Sequence, residues 1–403
     1  MKTLSPCALA DLTFDITWEK DGIAHKEHYF ADQFNCWRDI VPETLLEHII
    51  NGTIQDPISL KANPGELVPE YRPDNVHFLP KSRLDTFFAT EGLVRGRFYP
   101  QGMLTGFPGI FKANNTPFRC VDIDGDCIRA DLNHPMALIP MELTLTVHAK
   151  SFNPEERGGC CTNWIAIALS GPGMQARHNR QPTDFFSGKA FDRRDSRRDP
   201  RYYARDRFVR HIDDTARQNL SDLYGTLLRP GDVVLDLMAG WESHIPGDLD
   251  LLSLHGLGLN GNELTKNKQL TAHTVQDLNA DARLSFKDDS FDAVICSLSV
   301  EYLIDPVSIF KEVARVLKPG GVFSVTFSNR WFPEKAVRIW KDLHAFERMG
   351  LVMEYFLQSG RYESLSTVSM RGYPRPYGDK YFSTIMFSDP VYAVIGRTLK
   401  AVG

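Results

Sequence analysis

Three apolar runs in the second half of the chain each end in polar side chains that could hold a ligand or move a proton. The run Val233-Val234-Leu235-Asp236-Leu237 is short, β-branched and bounded by Pro230-Gly231 before and Gly240 after, which is the pattern of a buried parallel strand. Leu251 to Leu259 ends in Asn260 with Glu263 close behind, and Thr271 to Val275 ends in Gln276-Asp277-Leu278-Asn279. Ligands of open α/β sheets bind outside the carboxyl ends of the strands, near the point where strand order reverses, so these positions would meet a nucleotide. His244, Tyr302 and Asn329 follow strands at the same edge and are the candidates to line an acceptor pocket. His244 could act as a base there, or be a loop histidine hydrogen-bonded to structure.

The elements that must position these groups alternate between strand and helix. Phe291 to Leu298 reads as a further strand, and Val307, Phe310, Val313, Ala314 and Leu317 recur at helical spacing. Lys318-Pro319-Gly320-Gly321 punctuates that helix before the strand Val322 to Phe327. Upstream, Val209, Ile212, Ala216, Leu220, Leu223 and Leu227 share one helical face, the expected cover for the first strand.

Asp288-Asp289-Ser290-Phe291-Asp292-Ala293-Val294 and the run Phe310 to Gly321 resemble the later motifs of the UbiE-like branch of class I S-adenosylmethionine (SAM) methyltransferases. The resemblance covers about residues 201 to 398. It implies an α/β, Rossmann-like, seven-stranded methyltransferase domain over 201–403, with Leu351 to Leu357 and Val391 to Arg397 as closing strands, and SAM as cofactor. It further implies that Asp236, with Met238 and Gly240, lies near the methionine moiety, that Asn260 contacts the ribose, and that Asp277 and Leu278 face the adenine. Ser297 completes the implied cofactor site, and Tyr202 and Tyr203 are candidates to lie over it. A sulfonium methyl carries an excellent leaving group, so positioning and desolvation can supply most of the acceleration, with a base needed only for a protonated acceptor.

The chain departs from that family twice. Where three closely spaced glycines are usual, Asp236-Leu237-Met238-Ala239-Gly240-Trp241-Glu242 keeps one, so Trp241 either closes the pocket differently or points into the acceptor site. Trp241 and Trp331 could form an aromatic box for a cation, or simply pack. Asn260 stands where an acidic residue is usual and offers one acceptor oxygen.

The first part of the chain has a different texture, mainly β (α+β). Leu12 to Trp18 alternates as a strand, Lys20-Asp21-Gly22 is a turn, Val41 to Gly52 is a short helix, residues 121–131 carry Asp-Gly in a hairpin position, and Glu142 to Ala149 alternates as a last strand. The segment Ala130-Asp131-Leu132-Asn133-His134-Pro135-Met136-Ala137 resembles the signature of SlyD-like FKBP-type prolyl isomerases. That resemblance implies an FKBP/SlyD-like domain over 1–152 with a chaperone insert at about 83–134, X-Pro isomerase activity and binding of unfolded or proline-containing polypeptide. Tyr71, Phe30, Phe34 and Trp37 are candidate pocket walls, although aromatics in a β barrel are core residues by default.

Between the two parts, residues 153–200 are rich in Gly and Arg-Asp pairs and read as a linker at which the halves change orientation. The arginines from Lys189 to Asp214 are interrupted by aspartates, and the 403 residues carry a formal net charge of -5, so a solvated, internally paired stretch is expected and no nucleic-acid partner. Seven cysteines without a paired framework, and no apolar run long enough to span a bilayer, predict a reduced cytoplasmic chain with no membrane association. Cys160-Cys161 and His134 lack spaced partners, so no metal is expected. The methyl acceptor, small molecule or protein, is not legible. An alternative function is a chaperone or binding protein whose methyltransferase fold is inactive.

Overall fold

In a computed structural model, residues 8–85, 92–152 and 158–400 are described. The first residues of the expected linker, 153–157, fall outside that set, as do residues 86–91 within the expected insert.

The amino-terminal half contains β1 (Ala8–Lys20), β2 (Ile23–Asn35), α1 (Glu43–Asn51), β3 (Ile58–Ala62), β4 (Val76–Pro80), β5 (Phe98–Pro100), β6 (Pro117–Asp124), β7 (Cys127–Asp131) and β8 (Met141–Phe152). The β1–β2 turn places Asp21 and Gly22 at φ 55° and 78°, the doubly left-handed geometry that matches the twist of a tight hairpin. Strands β4, β7, β6 and β5 form a separate small sheet, so this sheet begins before residue 83.

The connecting segment carries α2 (Trp164–Ala168) and α3 (Asp199–Tyr203), and the carboxyl half runs α4 (Asp214–Leu227), β9 (Val233–Leu237), β10 (Ser253–Gly258), α5 (Gly261–Lys266), β11 (Ala272–Val275), β12 (Phe291–Ser297), α6 (Pro306–Val316), β13 (Leu317–Phe327), α7 (Arg338–Asp342), α8 (Ala345–Ser359), β14 (Tyr362–Arg371) and β15 (Val391–Thr398). Strands β9 to β13 pair in parallel, while β15 is antiparallel to both β13 and β14.

Two expectations are corrected here. Leu351 to Leu357 is not a closing strand: it lies within α8. That helix is buried on nearly every face, so its apolar residues run on without the three- and four-residue spacing that marks a half-exposed helix. Nor is the connecting segment a hinge. Ile165, Ala168 and Leu169 belong to the core of the amino-terminal sheet, and Met174, Phe185 and Ala190 belong to that of the carboxyl half. Its charged stretch is internally paired and mostly exposed, as expected, except that Asp199 is buried and is held by Arg193 at 2.8 Å and Lys335 at 3.0 Å.

The two halves share one 11-stranded sheet, in the order β11-β10-β9-β12-β13-β15-β14-β2-β1-β8-β3. The seam is a parallel pairing of β14 with β2, from Ser366 opposite Ala24 to Arg371 opposite Tyr29. A parallel neighbour completes the hydrogen bonding of β14, which would otherwise be an open edge.

Candidate active site

Strand order reverses between β10-β9 and β9-β12, and there the carboxyl ends of the strands open into a cavity of about 610 Å³. Asp236, Met238, Gly240, Asn260, Asp277, Leu278, Ser297 and Tyr203 all line it, as do His244, Tyr302 and Asn329. The structure thus brings the sequence-derived candidates together, although their present bonds differ in kind.

Asp236 is 2% exposed, and its Oδ2 has no hydrogen-bond partner. Burial pushes its carboxyl up to about 7, opposed by a hydrogen bond with Ser243. An orphaned buried acid facing a cavity is the mark of a group that waits for a cationic or hydrogen-bonding ligand. Beyond it Met238 sits at φ 60°, so the loop turns in the left-handed region although its residue there is not glycine. A glycine is instead essential one strand away, because a Cβ on Gly258 would lie 2.2 Å from the Ala239 carbonyl oxygen. The close backbone approach that the depleted glycine loop no longer provides from its own side is supplied by β10.

Asn260 is occupied structurally. Its oxygen accepts from the N–H groups of Asn262 at 2.9 Å and Glu263 at 3.1 Å, capping α5. Its Nδ2 donates to the Tyr203 carbonyl at 3.0 Å and to Asp206 at 2.9 Å. Glu263, which also lines the cavity, accepts the Arg207 N–H at 2.7 Å, and burial raises its carboxyl. The acidic group at this strand end therefore stands three residues beyond the strand-end position. Asp277 holds Asn279 N–H at 3.0 Å through Oδ1, and Leu278 is buried beside it.

Ser297 shares a 2.6 Å hydrogen bond with Tyr224, which reaches Thr326 at 3.0 Å. The Tyr203 hydroxyl is buried and unpartnered, and its ring meets Tyr202, Tyr302 and Phe332 edge to face. Arg207 lies over Tyr202 at 4.7 Å and over Phe332 at 5.2 Å.

The acid-base candidates are less free than their positions suggest. Burial lowers His244 to about 4, so at neutral pH it is uncharged and a weak base. Its Nδ1 stands 3.9 Å from Glu242, whose carboxylate is paired with Arg217. Tyr302 accepts the Phe332 N–H at 2.9 Å, and burial pushes its hydroxyl well up. Trp241 donates to the Val209 carbonyl at 3.2 Å, and Arg348 covers one face of Trp331 at 4.3 Å. Sequence reasoning set Arg330 aside although it follows Asn329 at a strand end, and missed His211, Lys380, Tyr381 and the covering role of Arg207, all of which border the cavity. The missed residues come from loops with no periodicity or motif, so no local signal marked them.

Elsewhere, the aromatic residues considered for an isomerase pocket take separate surroundings. Phe34 is core, Trp37 is 52% exposed, and Phe30 stacks on Tyr373 of the carboxyl half at 4.7 Å. Among the described residues no group of three or more metal-ligating side chains is assembled, and no helix is long and apolar enough to cross a membrane.

The family described as Methyltransferase domain (Methyltransf_11) matches residues 250–325, the stretch that builds β10 through most of β13. Cycloartenol-C-24-methyltransferase 1 of Oryza sativa subsp. japonica is 36% identical over 106 residues, covering 24% of this chain and 31% of that protein. Malonyl-(acyl-carrier protein) O-methyltransferase of Marinomonas sp. (strain MWYL1) is 32% identical over 160 residues, covering 35% of this chain and 56% of that protein. The chain thus spans from about a third to just over half of the length of these relatives. A putative methyltransferase solved with the Haloferax volcanii Trm112 activator superposes with a TM-score of 0.33 at 17% identity, over 47% of this chain and 92% of that one. The unpartnered Asp236 Oδ2, the unpartnered Tyr203 hydroxyl and the tight Gly258 approach fit a ligand with a cationic amine and a nucleoside. Residues 250–325, which match the Methyltransferase domain family, thus build strands whose carboxyl ends open into this cavity.

Proposed function

We propose that the protein transfers a methyl group from SAM to an acceptor bound in the same cavity. The observation that carries this reading is the buried Asp236 carboxyl, whose Oδ2 has no partner, at the point of strand-order reversal. SAM would supply an electrophilic methyl on a sulfonium. Asp236 would meet its amino group, Glu263 the ribose hydroxyls in place of Asn260, and Asp277 and Leu278 the adenine. Tyr203 and Arg207 would cover the site and keep water from it. With His244 uncharged and Tyr302 tied to backbone, orientation and desolvation carry the rate.

For the amino-terminal half we propose an SlyD-like FKBP module, spliced into the methyltransferase sheet. The signature around Asn133-His134-Pro135 and the separate small sheet, inserted in the chain between β3 and β8, support that reading. Binding of proline-containing polypeptide remains part of the proposal, with the small sheet as the element to carry it.

Calorimetric titration of the full chain with S-adenosylhomocysteine and SAM tests the first reading. Saturable binding that is weakened at least about tenfold by Asp277→Ala or Glu263→Ala is expected, from loss of charged hydrogen bonds. Absence of binding would favour an inactive methyltransferase fold serving as a binding protein.

A further inference from the structure

We propose that the methyl acceptor is a carboxylate carried on an apolar chain, its charge held by Arg330 and Lys380 at the cavity wall and its tail lying along residues 377–387. This deepens the methyltransferase reading and rests on it.

Tyr381 is the platform. The Arg330 guanidinium lies 4.3 Å and the Lys380 ammonium 4.8 Å from its ring centroid, so one aromatic ring gathers two cations, and all three residues border the cavity. Lys380 has no carboxylate partner among the described residues. Arg330 reaches Asp389 through Nε at 3.5 Å and acts on Asp379 at longer range, while Asp389 is already bound by Arg375 at 2.8 Å. The nearby acids are neutralised in the same way: Glu242 is paired with Arg217, and Asp379 with Arg375 at 2.9 Å. Unspent positive charge at a cavity wall selects an anion.

The chemistry of the site points the same way. A phenol, alcohol or ammonium acceptor must give up a proton, and neither His244 nor Tyr302 is placed to take one efficiently. A carboxylate needs no such base. Its oxygen forms a bond to the methyl carbon, the carbon–sulfur bond breaks, and the electron pair stays on sulfur, which leaves as a neutral thioether. The product is a methyl ester, and no proton is released.

The tail follows from what surrounds Lys380. Tyr377 is 87% and Met386 78% exposed, with Phe382, Ile385 and Phe387 also exposed. Single exposed apolar residues are ordinary, but five within residues 377–387, beside a cationic cavity wall, make a patch that an acyl or similar chain would cover.

The test uses the full chain, first with S-adenosylhomocysteine. Failure of that ligand to bind would remove the methyltransferase reading itself. With it bound, decanoate and 1-decanol are titrated as a matched charged and neutral pair. Decanoate is expected to bind about tenfold tighter than decanol, and Lys380→Ala and Arg330→Gln each to weaken decanoate about five- to tenfold while leaving decanol unchanged. Incubation with methyl-labelled SAM and decanoate is expected to give label that alkali releases as methanol. Equal binding of decanol, decanoate binding insensitive to both variants, or an alkali-stable product would overturn the inference. Unchanged S-adenosylhomocysteine affinity in each variant shows that the fold is intact.

Discussion

Asp236 illustrates how one residue couples stability to binding. Its carboxyl is pushed by burial from 3.8 to about 7 in the folded chain, so between those pH values the folded state keeps a proton that the unfolded state loses. Stability therefore falls as pH rises through that window, by something of the order of a few kcal/mol. Glu301, also raised by burial to about 7, acts in the same direction. Asp236→Asn is accordingly expected to flatten the pH dependence of denaturant midpoints between pH 4 and 7 and to leave the Glu301 share. An unaltered slope would show that the Asp236 side chain ionises normally. The same residue predicts proton release when SAM binds near neutral pH, because a cationic amine beside the carboxyl favours its charged form. Calorimetry in two buffers of different ionisation enthalpy reads this directly, and equal apparent enthalpies would count against an Asp236–amine contact. Asp236 was legible in the sequence because a lone acid inside a buried apolar run stands out. The full duty of Asn260 was not: besides capping α5 locally, its side chain holds Tyr203 and Asp206, which lie more than fifty residues away in the chain.

At the scale of elements, the end of β10 and the loop after β9 fit against each other with no room for a methyl group. Gly258→Ala puts a carbon 2.2 Å from the Ala239 carbonyl oxygen, so it should destabilise the chain by about 1–3 kcal/mol. It should also lower S-adenosylhomocysteine affinity, because the displaced loop carries Met238 and Gly240 into the cavity. Urea midpoints and titration of the same preparation check the two effects. Gly171 makes a similar test of the connecting segment. A Cβ there would meet the Phe346 ring at 2.3 Å, so Gly171→Ala should cost about 1–3 kcal/mol if the segment is packed core. A true hinge would accept the change within about 0.5 kcal/mol. Strands β9, β10, β12 and β13 were visible in the sequence because strands buried on both faces read as continuous apolar runs. The same property hid α8, whose burial on nearly all sides erases the helical period and gives it the texture of a strand.

Across the whole molecule, the seam between β14 and β2 is tied by side chains as well as backbone. Arg371 Nε meets the fully buried Glu27 at 2.8 Å, and His28 bridges Asp15 at 2.8 Å to the Tyr373 hydroxyl at 2.6 Å. Arg97 of the small-sheet region also donates to the Asp342 carbonyl at 3.0 Å, and Glu347 of α8 accepts the Phe98 N–H at 2.8 Å. Two halves so joined should unfold together, giving one transition by tryptophan fluorescence and by far-ultraviolet circular dichroism. Arg371→Leu leaves Glu27 buried without its cation and should cost about 3–5 kcal/mol. Two separated transitions, or a neutral Arg371→Leu, would mean that the shared sheet is not a single cooperative unit.

By itself the sequence determined the local patterns: apolar runs followed by polar side chains, the Asp-Gly turn of the first hairpin, and the helix that ends just before Lys318-Pro319-Gly320-Gly321, which the structure places inside β13 and not in a turn. These follow from interactions among residues close in the chain, whose periodicity and turn chemistry are written in order. Only the tertiary structure decided that the halves continue one 11-stranded sheet, that the connecting segment is core, and that Arg330, Lys380 and Tyr381 meet at the cavity wall. Those outcomes depend on which edge is left unpaired and which loops converge in space, and neither is expressed in the spacing of residues along the chain.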